Sequence, residues 1–242
     1  MPTLIELRLK ASWEVRPQTR QVHGLACALF EGNQGAHLGQ AKPFAVHPLS
    51  QEGASGEWLW RAAWLPDTPP PATVTATETL RVGHVSCTVA ELLQRRVTHA
   101  GLAAGPPRAA VTVSFGSPTY FSQNGSGILH PDPRLIVGSW RRRWNSSLPG
   151  PGPLEIGETA WRETLPFLRL AAFDLRTETR ESGHGRDQAG FTGTATLRLD
   201  RDAPPAARAV LGTLSRFAPY AGTGAQTTHG FGATVLVVTQ DG

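Results

Sequence analysis

Residues 221–232 read Ala-Gly-Thr-Gly-Ala-Gln-Thr-Thr-His-Gly-Phe-Gly and run directly into the apolar stretch Ala233–Val238. Glycine enters left-handed backbone regions that other residues avoid, so this segment is a sharply turned loop whose backbone approaches other groups closely. A dinucleotide-binding loop would follow a strand and open a helix. Here β-branched residues follow, and the loop enters a strand instead. Successive amides in such a loop form a concavity that suits an anion, phosphate above all. Gly222, Gly224, Thr228, His229, Gly230 and Gly232 are the expected contacts. The alternative is a glycine-rich turn between packed elements.

The basic residues point the same way. Formal net charge is +4, and only Lys10 and Lys42 are lysines among 23 basic residues. Arginine pairs bidentately with phosphate and stacks on bases, although a biased genome composition produces the same preference. With no apolar run near ~18 residues, no membrane-spanning helix is expected. The N-terminus lacks the basic and apolar segments of a secretory signal, and a cytoplasmic protein is expected. Cys27 and Cys87 sit in apolar surroundings and read as reduced core thiols. The histidines at 47, 84, 99, 130 and 184 show no metal-ligand spacing with cysteine or acid. Neither metal nor cofactor is expected.

Pro/Gly-rich breaks fall at 66–72, 104–108, 149–153 and 203–206. The second nearly halves the chain, giving expected domains at 1–106 and 107–242. The first half opens with an alternating strand from Leu4 and continues with a buried helix over Val22–Phe30. Strands follow at Phe44–His47, Trp58–Trp64 and around Val82–Leu93. The second half begins with a strand at Ala110–Phe115. A helix starts at Asp132-Pro133-Arg134, proline suiting a first turn, and runs to Trp144. Long strands are expected at about 163–180 and 189–200, then an amphipathic helix over Pro204–Phe217 and the final strand. The order β-α-β-β-α-β is the split ferredoxin-like unit. The expected fold is α+β, two tandem ferredoxin-like (RRM-like) domains with a C-terminal glycine-rich loop.

Three segments carry a resemblance. The first is Phe115-Gly116-Ser117-Pro118-Thr119-Tyr120-Phe121, with the helix containing Trp140-Arg141-Arg142-Arg143-Trp144 behind it. The second is the tail from Tyr220 to Gly232. The third is His37-Leu38-Gly39-Gln40-Ala41-Lys42-Pro43-Phe44. Together they resemble the CRISPR-associated endoribonucleases of the RAMP superfamily that process precursor CRISPR RNA.

The resemblance implies metal-independent cleavage of repeat RNA, in which the 2′-hydroxyl attacks the adjacent phosphate. It leaves a 2′,3′-cyclic phosphate and a 5′-hydroxyl. Such a reaction needs a base, an acid and a cation beside the phosphorane, and histidine suits proton transfer near neutral pH. The resemblance makes His37 the general acid or base, with Lys42 supporting the phosphorane charge and Arg20 or His23 as the second catalytic group. The family's frequent tyrosine at that place is missing. RNA contacts are expected from Arg141, Arg142 and Arg143 and from the hairpin bearing Arg176, Arg180 and Arg186. The partner is repeat RNA, as a stem-loop or unstructured, together with other CRISPR effector subunits. The alternative function is an inactive repeat-binding subunit of an effector complex.

Overall fold

The computed structural model describes residues 1–11, 17–31, 42–52, 57–182 and 187–237. In the first half β1 (Thr3–Lys10) leads to α1 (Thr19–Phe30), β2 (Phe44–Val46), β3 (Ser50–Glu52) and β4 (Glu57–Trp64). Next come α2 (Thr73–Ala76), β5 (Thr79–Val82), β6 (Val85–Arg96) and α3 (His99–Ala103). The second half holds β7 (Ala110–Thr119), β8 (Phe121–Gln123), β9 (Ser126–Ile128), α4 (Pro133–Ser147) and α5 (Glu158–Thr164). It continues with β10 (Leu168–Glu181), β11 (Asp187–Leu199), α6 (Pro205–Ala221) and β12 (Thr234–Val237).

The second sheet runs β10-β11-β7-β12 with every neighbouring pair antiparallel. This is the ferredoxin-like order, with α4 and α6 supplying the helical layer. Asp132 caps α4 by accepting from the Arg134 amide at 2.7 Å, and Pro133 opens its first turn. Spacing then puts Ile136, Trp140 and Trp144 on one face, all fully buried. Each indole N–H finds an acceptor, Trp140 at Thr223 Oγ1 (2.8 Å) and Trp144 at the Leu154 carbonyl (2.7 Å).

The first sheet repeats the order as β2-β4-β1-β6, with β5 added outside β6. Its second helix has shrunk to the single turn α2, which explains why that element is so faint in the sequence. In α1, Val22, Leu25, Ala26 and Leu29 are spaced to bury one face against this sheet.

Two expected boundaries change, and one hairpin was not expected. The strand around Val82–Leu93 is a hairpin, β5 and β6 turning at Gly83, whose φ of +62° suits glycine. The long strand expected from 163 begins at Leu168, because Trp161 and Leu165 lie four apart on one helical face and pack into the core. The β8–β9 hairpin, short and largely polar, gave no apolar period to read.

Side chains tie the halves together. Arg143, expected at RNA, instead donates to the backbone carbonyls of Lys42 (3.2 Å) and Phe44 (2.7 Å). Burial holds its pKa down to about 10. Its role is therefore a tether between α4 and the entry to β2. Arg216 donates to the carbonyls of Leu102, Gly105 and Pro106, which pins the connection between the sheets. Fully buried His99 contacts Ser147 Oγ at 2.8 Å and Asp67 at 3.3 Å.

Candidate active site

The loop between α6 and β12 is built by its own backbone. At its start the Thr223 amide donates to the Gly232 carbonyl, Gly224 to Ser139 Oγ and Ala225 to the Tyr120 carbonyl. At its end Gly232 donates to the Pro118 carbonyl and Ala233 to Ser117 Oγ. Gly224 (φ +80°) and Gly232 (φ +65°) allow these approaches. A Cβ on either would collide with the Tyr120 or Thr223 carbonyl oxygen respectively. The amides of Gly222, Gly224 and Gly232 are thus spent inside the protein. The expectation that they cradle phosphate is corrected.

What the loop presents is its middle. Thr227–His229 form a short 3₁₀ turn against α1 and β2. The His229 and His23 rings stack with centroids 3.8 Å apart and planes 11° apart. His23 Nδ1 lies 2.8 Å from the Thr228 carbonyl. A carbonyl only accepts, so Nδ1 carries the proton. The other nitrogen, Nε2, lies 3.5 Å from Cys27 Sγ. Burial, with Glu31 next, pushes the Cys27 thiol up to about 11, so the thiol stays protonated. The loop backbone takes the Nδ1 side of His23, and its ring face is what meets His229. His23 thus stands in the loop's middle as the stacking partner of His229.

His229 reaches solvent. It lines a cleft of about 220 Å³ with Gln18 and Thr19 at the start of α1, Pro48 after β2, and Arg180 and Glu181 at the end of β10. Thr228 Oγ1 sits 3.0 Å from His229 Nδ1. Arg180 Nη1 lies 3.5 Å from the Gly230 carbonyl, so the basic hairpin arm reaches the same place. The structure thereby brings together Thr228, His229, Gly230 and Arg180 with the N-terminal end of α1.

Other expected residues fall elsewhere. The Lys42 ammonium is held by Glu31 at 2.6 Å in a largely buried ion pair, away from the cleft lining. Arg20 is exposed on α1 and does not line the cleft. Arg141 donates to the Ile156 carbonyl and Glu158 and stands over the Trp161 ring, which makes it largely a packing residue. Arg142 is exposed on α4, and Arg176 pairs with Glu178 at 2.8 Å. His37 and Arg186 lie outside the described residues. Among the described residues no three His, Cys, Asp or Glu side chains converge as metal ligands, and no helix is long and apolar enough to cross a membrane.

The family model described as CRISPR-associated endoribonuclease Cas6 matches residues 113–234, just over half of the chain, from within β7 to the first residue of β12. The chain belongs to the CRISPR-associated endoribonuclease Cas6 family. It is 30% identical over 135 residues to a CRISPR-associated endoribonuclease Cas6 of Mycobacterium tuberculosis, a match covering 54% of this chain and 40% of that protein. Solved Cas6 structures match throughout. A Cas6 product complex has TM-score 0.85 at 29% identity, with 98% of this chain and 100% of that chain covered. Thermus thermophilus Cas6 has TM-score 0.75 at 28% identity, covering 98% of each chain. A Cas6 substrate-mimic complex has TM-score 0.76 at 25% identity, covering 97% of this chain and 99% of that one. The two ferredoxin-like units are therefore the Cas6 fold.

Proposed function

We propose that this chain cuts CRISPR repeat RNA without metal, through 2′-hydroxyl attack, and so matures CRISPR RNA. The observation that carries the reading is a cleft at the junction of the two halves, lined by His229, which stacks on the His23 ring of the first half, and by Arg180. The domains are 1–106, which brings His37 and α1, and 107–242, which brings the loop and the basic hairpin. Whole-chain similarity to Cas6 product and substrate-mimic complexes supports RNA as the substrate.

The chemistry needs two proton carriers and one cation. A base takes the 2′-hydroxyl proton as that oxygen bonds to phosphorus. The bond from phosphorus to the 5′-oxygen breaks, and an acid protonates the leaving oxygen. His229 and His37 fill these two roles in this proposal, and a histidine-to-alanine mutant is among the matched Cas6 structures. Arg180, always charged, supports the phosphorane.

The test is incubation of labelled repeat RNA in EDTA with end-group analysis. Cleavage leaving a 2′,3′-cyclic phosphate, abolished by a 2′-deoxy scissile nucleotide, is the expected result. Dependence on added divalent metal would remove the mechanism. Tight binding without cleavage would favour the inactive-subunit reading.

A further inference from the structure

A second cavity of about 250 Å³ opens where the helix-free face of the first sheet meets the end of α6 and strand β12. Leu4, Glu6 and Arg61 line it from the sheet, Pro219 from α6 and Val235 from β12, with His47 contributed by the chain after β2. Glu6 and Arg61 pair at 3.4 Å. Val235 is 50% exposed, an apolar wall left open to solvent. Among the described residues the His47 ring has no hydrogen-bond partner. Burial, with Arg61 next, holds its pKa down to about 4, so it offers one N–H donor and one bare acceptor at neutral pH.

We infer that this cavity holds a single unpaired nucleobase of the RNA strand that enters the candidate active site, the ring lying between Pro219, Leu4 and Val235 with its polar edge on His47 and Arg61. The inference rests on the endoribonuclease reading. Three observations favour a base over other occupants. The volume falls below the ~300–1,000 Å³ of pockets for larger ligands, so one ring system fits and a duplex does not. Apolar walls beside a neutral donor–acceptor edge and a guanidinium match how unpaired bases are held, by stacking and by edge hydrogen bonds. The two cavities are linked through the chain after β2, where consecutive residues Pro48 and His47 line one each. The backbone of His47 and Pro48 lies directly against Gly230, in the loop that carries His229.

The experiment pairs protein variants with abasic RNA. Affinity is measured for repeat RNA made uncleavable by a 2′-deoxy sugar at the nucleotide the wild type cuts. If the wild type does not cut, the whole unpaired segment is made 2′-deoxy. One abasic position should weaken wild-type binding roughly 5- to 100-fold, the size of one base stack. Val235→Trp, which fills the mouth from an exposed strand position, should weaken intact RNA similarly and show little further loss with that abasic RNA. His47→Leu should behave likewise. His47→Gln, keeping a donor and an acceptor, should restore most of the affinity, and this holds if the tryptophan variant misfolds. Losses that add across protein and RNA, or the absence of any sensitive abasic position, would overturn the pocket. Intact cleavage by the wild type alongside either result leaves the endoribonuclease reading standing. Binding that couples as expected without cleavage sinks that reading alone.

Discussion

The ends and the middle of the 222–233 loop do opposite work. At both ends the amides bond inward, to Tyr120, Ser139, Pro118 and Ser117. In the middle, the Thr228 carbonyl accepts a hydrogen bond from His23 Nδ1, the Gly230 carbonyl faces Arg180, and the His229 ring meets the cleft. The glycines are needed because backbone must pass backbone at the ends. The chemistry belongs to side chains that those ends hold in place. A glycine-rich signature can therefore mark a functional loop without its glycines touching substrate.

That division can be broken at its ends first. Gly224→Val or Gly232→Val should cost ~3 kcal/mol or more, since each adds a Cβ into a carbonyl oxygen at positive φ. Thermal unfolding should then fall by roughly 6–12 °C, with activity lost alongside. A folded Gly224→Val protein of unchanged stability would show that the loop ends are not fixed in this way.

Next in size is the middle. His229→Ala should lower the single-turnover cleavage rate by ~10²-fold or more, the usual loss for a positioned acid–base group. Stability should change by only ~1 kcal/mol, the scale of one ring stack. His23→Ala should also slow cleavage, because it removes the ring that steadies His229. His23→Phe, which keeps a stacking face, should recover part of the rate. Arg180→Ala should weaken RNA binding and reduce the salt slope by about one unit if one phosphate contact is lost. An unchanged slope places Arg180 outside the RNA path.

The smallest effect is titration. The pKa values of His47 and His99 are both lowered by burial from an ordinary 6.5, His47 to about 4. The unfolded chain therefore binds more protons than the folded one between those values. Their stabilising contribution is present above pH ~6.5 and is lost as pH falls toward 4. His47→Gln should flatten part of the decline in a thermal-unfolding series across that window.

Much of this was legible in the chain. The β7-α4-β10-β11-α6-β12 unit follows its apolar periods, because each element is long and buries one face. Trp140 and Trp144 stand four apart, and the core that they predict is there. Short elements were not legible. The single turn α2, the hairpin β8–β9 and helix α5 bury too few residues to impose a period. At the site, His229 was readable as a histidine among glycines, but its stacking partner lies 206 positions away in α1 and no local pattern links the two. Lys42 and Arg143 read as free cations. Burial gave each a partner, Glu31 for one and the Lys42 and Phe44 carbonyls for the other, since an unpaired charge in the interior is costly.

The most direct measurement is single-turnover cleavage of end-labelled repeat RNA in EDTA, wild type against His229→Ala, with affinity and thermal stability taken on the same samples. The account predicts that the wild type leaves a 2′,3′-cyclic phosphate. The variant should bind about as tightly and stay folded, yet cut ~10²-fold more slowly. Equal rates for a folded, RNA-bound His229→Ala protein would contradict it.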